Sequence, residues 1–152
     1  LKVIFLFSFI ALISAFFIEY ILGHQPCNLC LIERIPYGLS IMIIMAIFLI
    51  KKNQKFLVML LILTFIFSFA ISFYHFGIEQ GFFQESSVCG VKSSTEIVTK
   101  EDLLKQLSEK TISCKDVTFR IFGLSLTSIN IVISLLFIIT LLKIFKKYEK
   151  NK

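Results

Sequence analysis

The chain has 152 residues, 57% of them hydrophobic, with 18 Phe, no Trp and a formal net charge of +6. Its mean hydropathy is +0.87, more apolar surface than a soluble domain of this size can hide, so lipid must solvate much of it. The basic excess is not a nucleic-acid signature, because it is confined to the ends of apolar segments, where it reports membrane orientation instead.

Four runs are long enough to cross a bilayer core, which takes about 20 apolar residues per helix. They are Val3–Leu22, Leu31–Ile50, Phe56–Phe76 and Ile121–Leu142. Near-continuous runs of this length exclude a membrane barrel, whose strands alternate. The expected fold is all-α, a polytopic four-transmembrane-helix bundle forming one membrane domain over residues 1–152. The first run is too long for the core of a signal peptide and no small-x-small site follows it, so it is expected to be a retained helix.

If the four runs cross alternately, one side collects Lys2, Lys51, Lys52, Lys55, Lys143, Lys146, Lys147, Lys150 and Lys152 against the single acid Glu149. The positive-inside rule places that side, with both termini, in the cytoplasm. Anionic lipid is the expected counter-charge. Two outward loops remain, a short one at about 23–30 and a long one at about 77–120. All four cysteines, Cys27, Cys30, Cys89 and Cys114, fall in these loops, where disulfides can persist.

The short loop leads into Pro26-Cys27-Asn28-Leu29-Cys30-Leu31-Ile32-Glu33-Arg34. If the second helix begins near Cys27, the two sulfurs lie one turn apart on one face, a spacing that suits a disulfide. A helix N-terminus favours the reactive thiolate. Arg34, four residues after Cys30, adds a fixed cation, which Glu33 opposes; Arg34 can alternatively pair with Glu33 and reach the headgroups. A bridge across so short a loop constrains the chain little, so the pair is there to open and close rather than to staple. A zinc site would need four ligands, and no second Cys-x-x-Cys or His-x-His is present, so no metal is expected.

The turn Lys51–Lys55 makes the second and third helices antiparallel neighbours. Tyr74-His75 closes the third run at the depth of Arg34, whereas His24 and Glu19 read as interfacial residues, Glu19 either solvated or paired with a base. In the long loop, Thr99 and Asp102 form a capping-box variant with Val98 and Leu103 as staple, and Leu103, Leu104 and Leu107 share a face. That segment is expected either to lie on the membrane surface or to pack on the bundle. Cys89 and Cys114 bracket it, and a bridge between them is as consistent with a structural as with a catalytic role when taken alone. Asn130 in the last run reads as interhelical glue.

The pattern Pro-Cys-x-x-Cys-x-x-Glu-Arg at 26–34, Tyr74-His75 with Glu79, and Gly123-Leu124-Ser125 resemble the disulfide bond formation protein B (DsbB) family of the bacterial inner membrane, over nearly the whole chain. The resemblance implies a quinone-dependent protein-dithiol oxidase that reoxidises a periplasmic thioredoxin-fold thiol oxidase (DsbA-like). Cys89 would form the mixed disulfide with that partner, and Cys114 would release it and link transiently to Cys27. Cys30 would contact the quinone (ubiquinone or menaquinone), held by Arg34 with His75 nearby. Electrons would run from partner to Cys89–Cys114, to Cys27–Cys30, to the membrane quinone pool. The sequence departs from the family's usual pattern at Leu126-Thr127-Ser128 and in lacking Trp. Two other readings are a vitamin-K-epoxide-reductase-like oxidase, whose Cys-x-x-Cys lies late rather than early in the chain, and a non-enzymatic scaffold with structural disulfides.

Overall fold

The computed structural model describes residues 1–50, 53–84, 89, 113–115, 120–121 and 124–150. Four helices dominate: α1 (Lys2–Tyr20), α2 (Asn28–Leu49), α3 (Gln54–Glu79) and α4 (Leu126–Lys150). Each is long and apolar enough to cross a membrane. A spanning segment without water must satisfy its backbone groups internally, which selects the helix. The leucine-rich segment proposed around Thr99, and Lys51 and Lys52 of the basic turn, lie outside the described residues.

The burial pattern is that of a protein dissolved in lipid. Large apolar side chains face outward: Leu6, Phe9 and Ile13 on α1, Met42 and Phe48 on α2, Leu63 and Phe67 on α3, Val132 and Leu136 on α4. Small polar ones are sealed inside, with Ser8, Ser40, Ser68, Ser72 and Ser134 inaccessible to solvent. Helices in lipid gain nothing from hiding leucine from other leucines, so they associate through small residues and interhelical hydrogen bonds. Ser40 Oγ donates to Ser8 Oγ at 2.9 Å, tying α2 to α1. Ser134 Oγ donates to Ser68 Oγ at 3.2 Å, tying α4 to α3. Helix α1 packs on α2, α2 on α3, and α3 most extensively on α4.

One half of the bundle holds a conventional core. Phe65, Leu61, Ile44 and Leu141 are fully buried there. The Phe65 ring meets Phe137 edge-on at a centroid distance of 5.0 Å and Tyr37 at 6.4 Å, the T-shaped geometry that aromatic quadrupoles prefer. That core packs Ile4 of α1 and Val58 of α3 against the same cluster.

Helix ends differ from the apolar runs in instructive ways. Helix α2 starts at Asn28, not Leu31, because Cys27 caps it: the Cys27 sulfur accepts the backbone N–H of Cys30 at 3.3 Å. Helix α3 continues past Phe76 to Glu79. Helix α4 starts at Leu126, not Ile121. Ser125 Oγ accepts the backbone N–H of Ser128 at 3.3 Å, an N-cap interaction that fixes the start there. The preceding residues form a two-rung antiparallel ladder, β1 (Arg120–Ile121) with β2 (Leu124–Ser125).

Candidate active site

At the ends of α2 and α3 that carry Cys27 and Glu79, a second buried cluster gathers Cys27, Leu29, Ile78, Cys89 and Cys114. Cys89 and Cys114 are joined by a disulfide with Cα atoms 5.6 Å apart. Cys27 and Cys30 are free thiols, their sulfurs 2.7 Å apart. The ligating atoms of Cys27, Cys114 and His75 all lie within 4.8 Å of one another. The two cysteine pairs, distant in sequence, therefore meet beside one imidazole.

Position follows from local structure. Cys27 sits at the N-cap of α2 and Cys30 in its first turn, so one helical turn separates the thiols. The Cys27 thiol is held well below its ordinary range. The hydrogen bond from Cys30 contributes most, burial opposes it, and His75 adds further stabilisation of the anion. His75, from the last turns of α3, faces the Cys27 sulfur through Nε2 at 3.6 Å. Its Nδ1 is 3.1 Å from Glu33 Oε1 on α2. A carboxylate at one ring nitrogen fixes which nitrogen is available to the sulfur.

Glu33 anchors a buried network. Its other oxygen accepts Asn130 Nδ2 of α4 at 3.5 Å. The same amide nitrogen donates to Ser72 Oγ of α3 at 2.7 Å, and Asn130 Oδ1 accepts the Tyr37 hydroxyl. Three helices are thus held in register by one carboxamide. The expectation of Asn130 as interhelical glue describes these bonds, yet it misses that they lead to the thiols through Glu33 and His75.

Arg34 departs from the expected alternative of a pair with Glu33. Its guanidinium pairs with Glu19 of α1 rather than with Glu33, and stands 5.3 Å over the Phe16 ring. Glu33 is engaged by His75 instead. Arg34 and Cys30 nevertheless border one cavity of about 290 Å³, together with Cys27, His75, Glu33 and Glu79. Away from these polar groups its walls are apolar, formed by Phe7, Ala11, Leu12 and Ile18 of α1 and Ile129 and Ile133 of α4. His24 also borders it.

Sequence reasoning singled out the thiols, Arg34 and His75 but undervalued Glu33, Glu79 and Asn130. The signal was available, since polar and ionisable groups within apolar spans are expensive and mark function by default.

A multi-pass helical membrane protein that brings two cysteine pairs together beside a histidine belongs to the class of membrane thiol oxidoreductases. The chain belongs to the DsbB family: the model for "Disulfide bond formation protein DsbB" matches residues 1–144. It is also 31% identical over 147 residues to an uncharacterised protein of Rickettsia prowazekii (strain Madrid E), covering 95% of this chain and 86% of that one. No solved structure matches the chain.

Proposed function

We propose that this protein reoxidises a soluble thioredoxin-fold dithiol oxidase outside the cytoplasm and passes the electrons to membrane quinone. The observation that carries the reading is the approach of the Cys114 and Cys27 sulfurs, within 4.8 Å in one buried cluster. At that separation a small displacement brings a thiolate onto a disulfide sulfur, which is all that exchange requires.

The exchange sequence begins from two closed disulfides. A thiolate of the reduced partner attacks Cys89, and Cys114 leaves as a thiolate. Cys114 attacks Cys27, forming a Cys114–Cys27 bridge and releasing Cys30 as a thiolate. The partner's second thiolate then attacks its own bridged sulfur, leaving oxidised and freeing Cys89. Cys89 attacks Cys114, which restores Cys89–Cys114 and leaves Cys27 and Cys30 reduced, the arrangement described above. His75 Nε2, 3.6 Å from the Cys27 sulfur, stabilises that sulfur as a leaving anion.

The cavity suits a quinone. Its volume of about 290 Å³ is near the lower end for small-molecule sites, and apolar walls leading to a thiol and a guanidinium match a lipid-soluble ring with polar oxygens. Cys30 and Arg34 would hold the ring end, and the apolar residues of α1 and α4 the tail. Bound there, a quinone supplies an acceptor for two electrons and two protons. Both termini are proposed to face the cytoplasm, which puts the exchange site on the oxidising side.

The test uses membranes containing the full chain, a reduced thioredoxin-fold dithiol protein, and either ubiquinone or menaquinone. Wild-type protein should reduce quinone as partner thiols disappear. Cys30→Ser should abolish quinone reduction, whereas Cys89→Ser alone leaves Cys114 free to attack the Cys27–Cys30 disulfide and should populate the Cys27–Cys114 bridge with Cys30 released as the thiolate. Normal turnover by Cys30→Ser would sink the electron path.

A further inference from the structure

Glu79 has a place in this site that the exchange sequence leaves unused. Its side chain is only 6% exposed. Its Oε2 is buried without a hydrogen-bond partner among the described residues, and it borders the same cavity as Cys30 and Arg34. Its Oε1 accepts the Thr127 hydroxyl of α4 at 2.5 Å and lies 3.9 Å from His75 Nε2. That nitrogen also faces the Cys27 sulfur. Sulfur, imidazole and carboxyl therefore form a series that starts at the exchange site and ends in the cavity. A buried carboxyl oxygen without a donor is unfavourable unless the group has something to accept there.

We propose that Glu79 is the proton carrier between the thiols and the ligand of the cavity, a role that rests on the quinone reading above. Closing Cys27 and Cys30 into a disulfide releases two electrons and two protons, and a quinone accepts two of each. With Cys27 held as the thiolate, its proton has already crossed to His75 Nε2 and on to the Glu79 carboxylate, from which it would go to an oxygen of a bound quinone. The second would pass from the Cys30 thiol to the other oxygen, leaving the imidazole neutral and the carboxylate ionised once the disulfide has closed. The other charged groups around this path are already committed, Arg34 to Glu19 and Glu33 to His75 Nδ1. His24 and Tyr37 complete the titratable lining among the described residues.

Infrared difference spectra of quinone-free protein, taken as the Cys27–Cys30 disulfide is chemically reduced, read the proposal directly. A carboxylic-acid C=O band should appear in the wild type, vanish in Glu79→Gln and persist in Thr127→Val, which removes only the supporting hydroxyl. With quinone supplied, Glu79→Gln should slow quinone reduction about tenfold or more, in line with general acid–base contributions. If Glu79→Gln does not accumulate, Glu79→Asp keeps the acid and should shift the band; an unmoved band overturns the proposal. A band absent from the wild type, or retained in Glu79→Gln, does the same, as does a wild-type rate in Glu79→Gln. A wild-type protein that reduces no quinone defeats the functional reading instead, while the infrared result still decides whether Glu79 takes the proton.

Discussion

The guanidinium of Arg34 is held by the carboxylate of Glu19, which joins the first two helices at the edge of the cavity. The two side chains are 17% and 22% exposed, between the surface pairs that contribute almost nothing and the buried pairs whose disruption costs most. A double-mutant cycle of Glu19→Ala and Arg34→Ala should give a coupling of about 1–2 kcal/mol in detergent unfolding. Strictly additive losses would show that the pair contributes nothing to the bundle.

The depressed Cys27 thiol should be visible in its chemistry. Alkylation of Cys27 in the reduced protein should already be fast near neutrality and slow only in acid, since the thiolate is the nucleophile. Replacing His75 with Ala removes one cause of the depression and should move the midpoint upward. The stability consequence has a definite sign. The ionised thiol favours the folded chain, so its contribution is complete above the ordinary value of 9.0 and is lost as pH falls towards about 4. Reduced protein whose stability did not decline across that window would contradict the assignment.

Asn130 carries more bonds than its single side chain would lead one to expect. Asn130→Leu would strand the Tyr37 hydroxyl, Ser72 and one Glu33 oxygen inside the bundle. The expected loss is about 2–4 kcal/mol, from buried polar groups without partners. Unfolding in detergent measures it, and a loss below about 1 kcal/mol would mean the network rearranges freely.

The Ser68–Ser134 contact makes a prediction about size rather than polarity. Ser134→Ala should cost under about 1 kcal/mol, because bonds of this kind between membrane helices are weak. Ser134→Leu should cost about 1–3 kcal/mol by forcing α3 and α4 apart. Equal effects of the two changes would argue against close packing at this point.

The four helices and the adjacent thiols of Cys27 and Cys30 were legible because each is encoded within a single segment: an apolar run long enough to span, and two cysteines one turn apart. Arg34 was harder. Its spacing from Cys30 and Glu33 is a property of one helix, but its partner Glu19 belongs to another, and spacing along α2 says nothing of how α1 is rotated against it. Glu33 was hidden for the same reason, since His75 approaches it from α3. The start of α4 was misjudged because apolarity continues through Ile121 and Leu124, whereas the helix obeys the Ser125 cap. Asn130 was recognised as a polar contact, but its three partners come from α2 and α3, and only packing could name them.

Beyond the end of α3 the chain doubles back: the N–H groups of Phe82 and Phe83 both reach the carbonyl of Gly77, at 2.8 and 3.1 Å. The Phe83 ring settles where any side chain at Gly77 would have to go, and it stacks on Tyr74. Gly81, at φ 78°, takes the left-handed turn that makes the reversal possible. Two positions lacking a Cβ thereby fold the residues after α3 back onto its last turns, whose Ile78 packs in the same cluster as Cys89. A side chain at Gly77 would have to displace the Phe83 ring and undo that reversal.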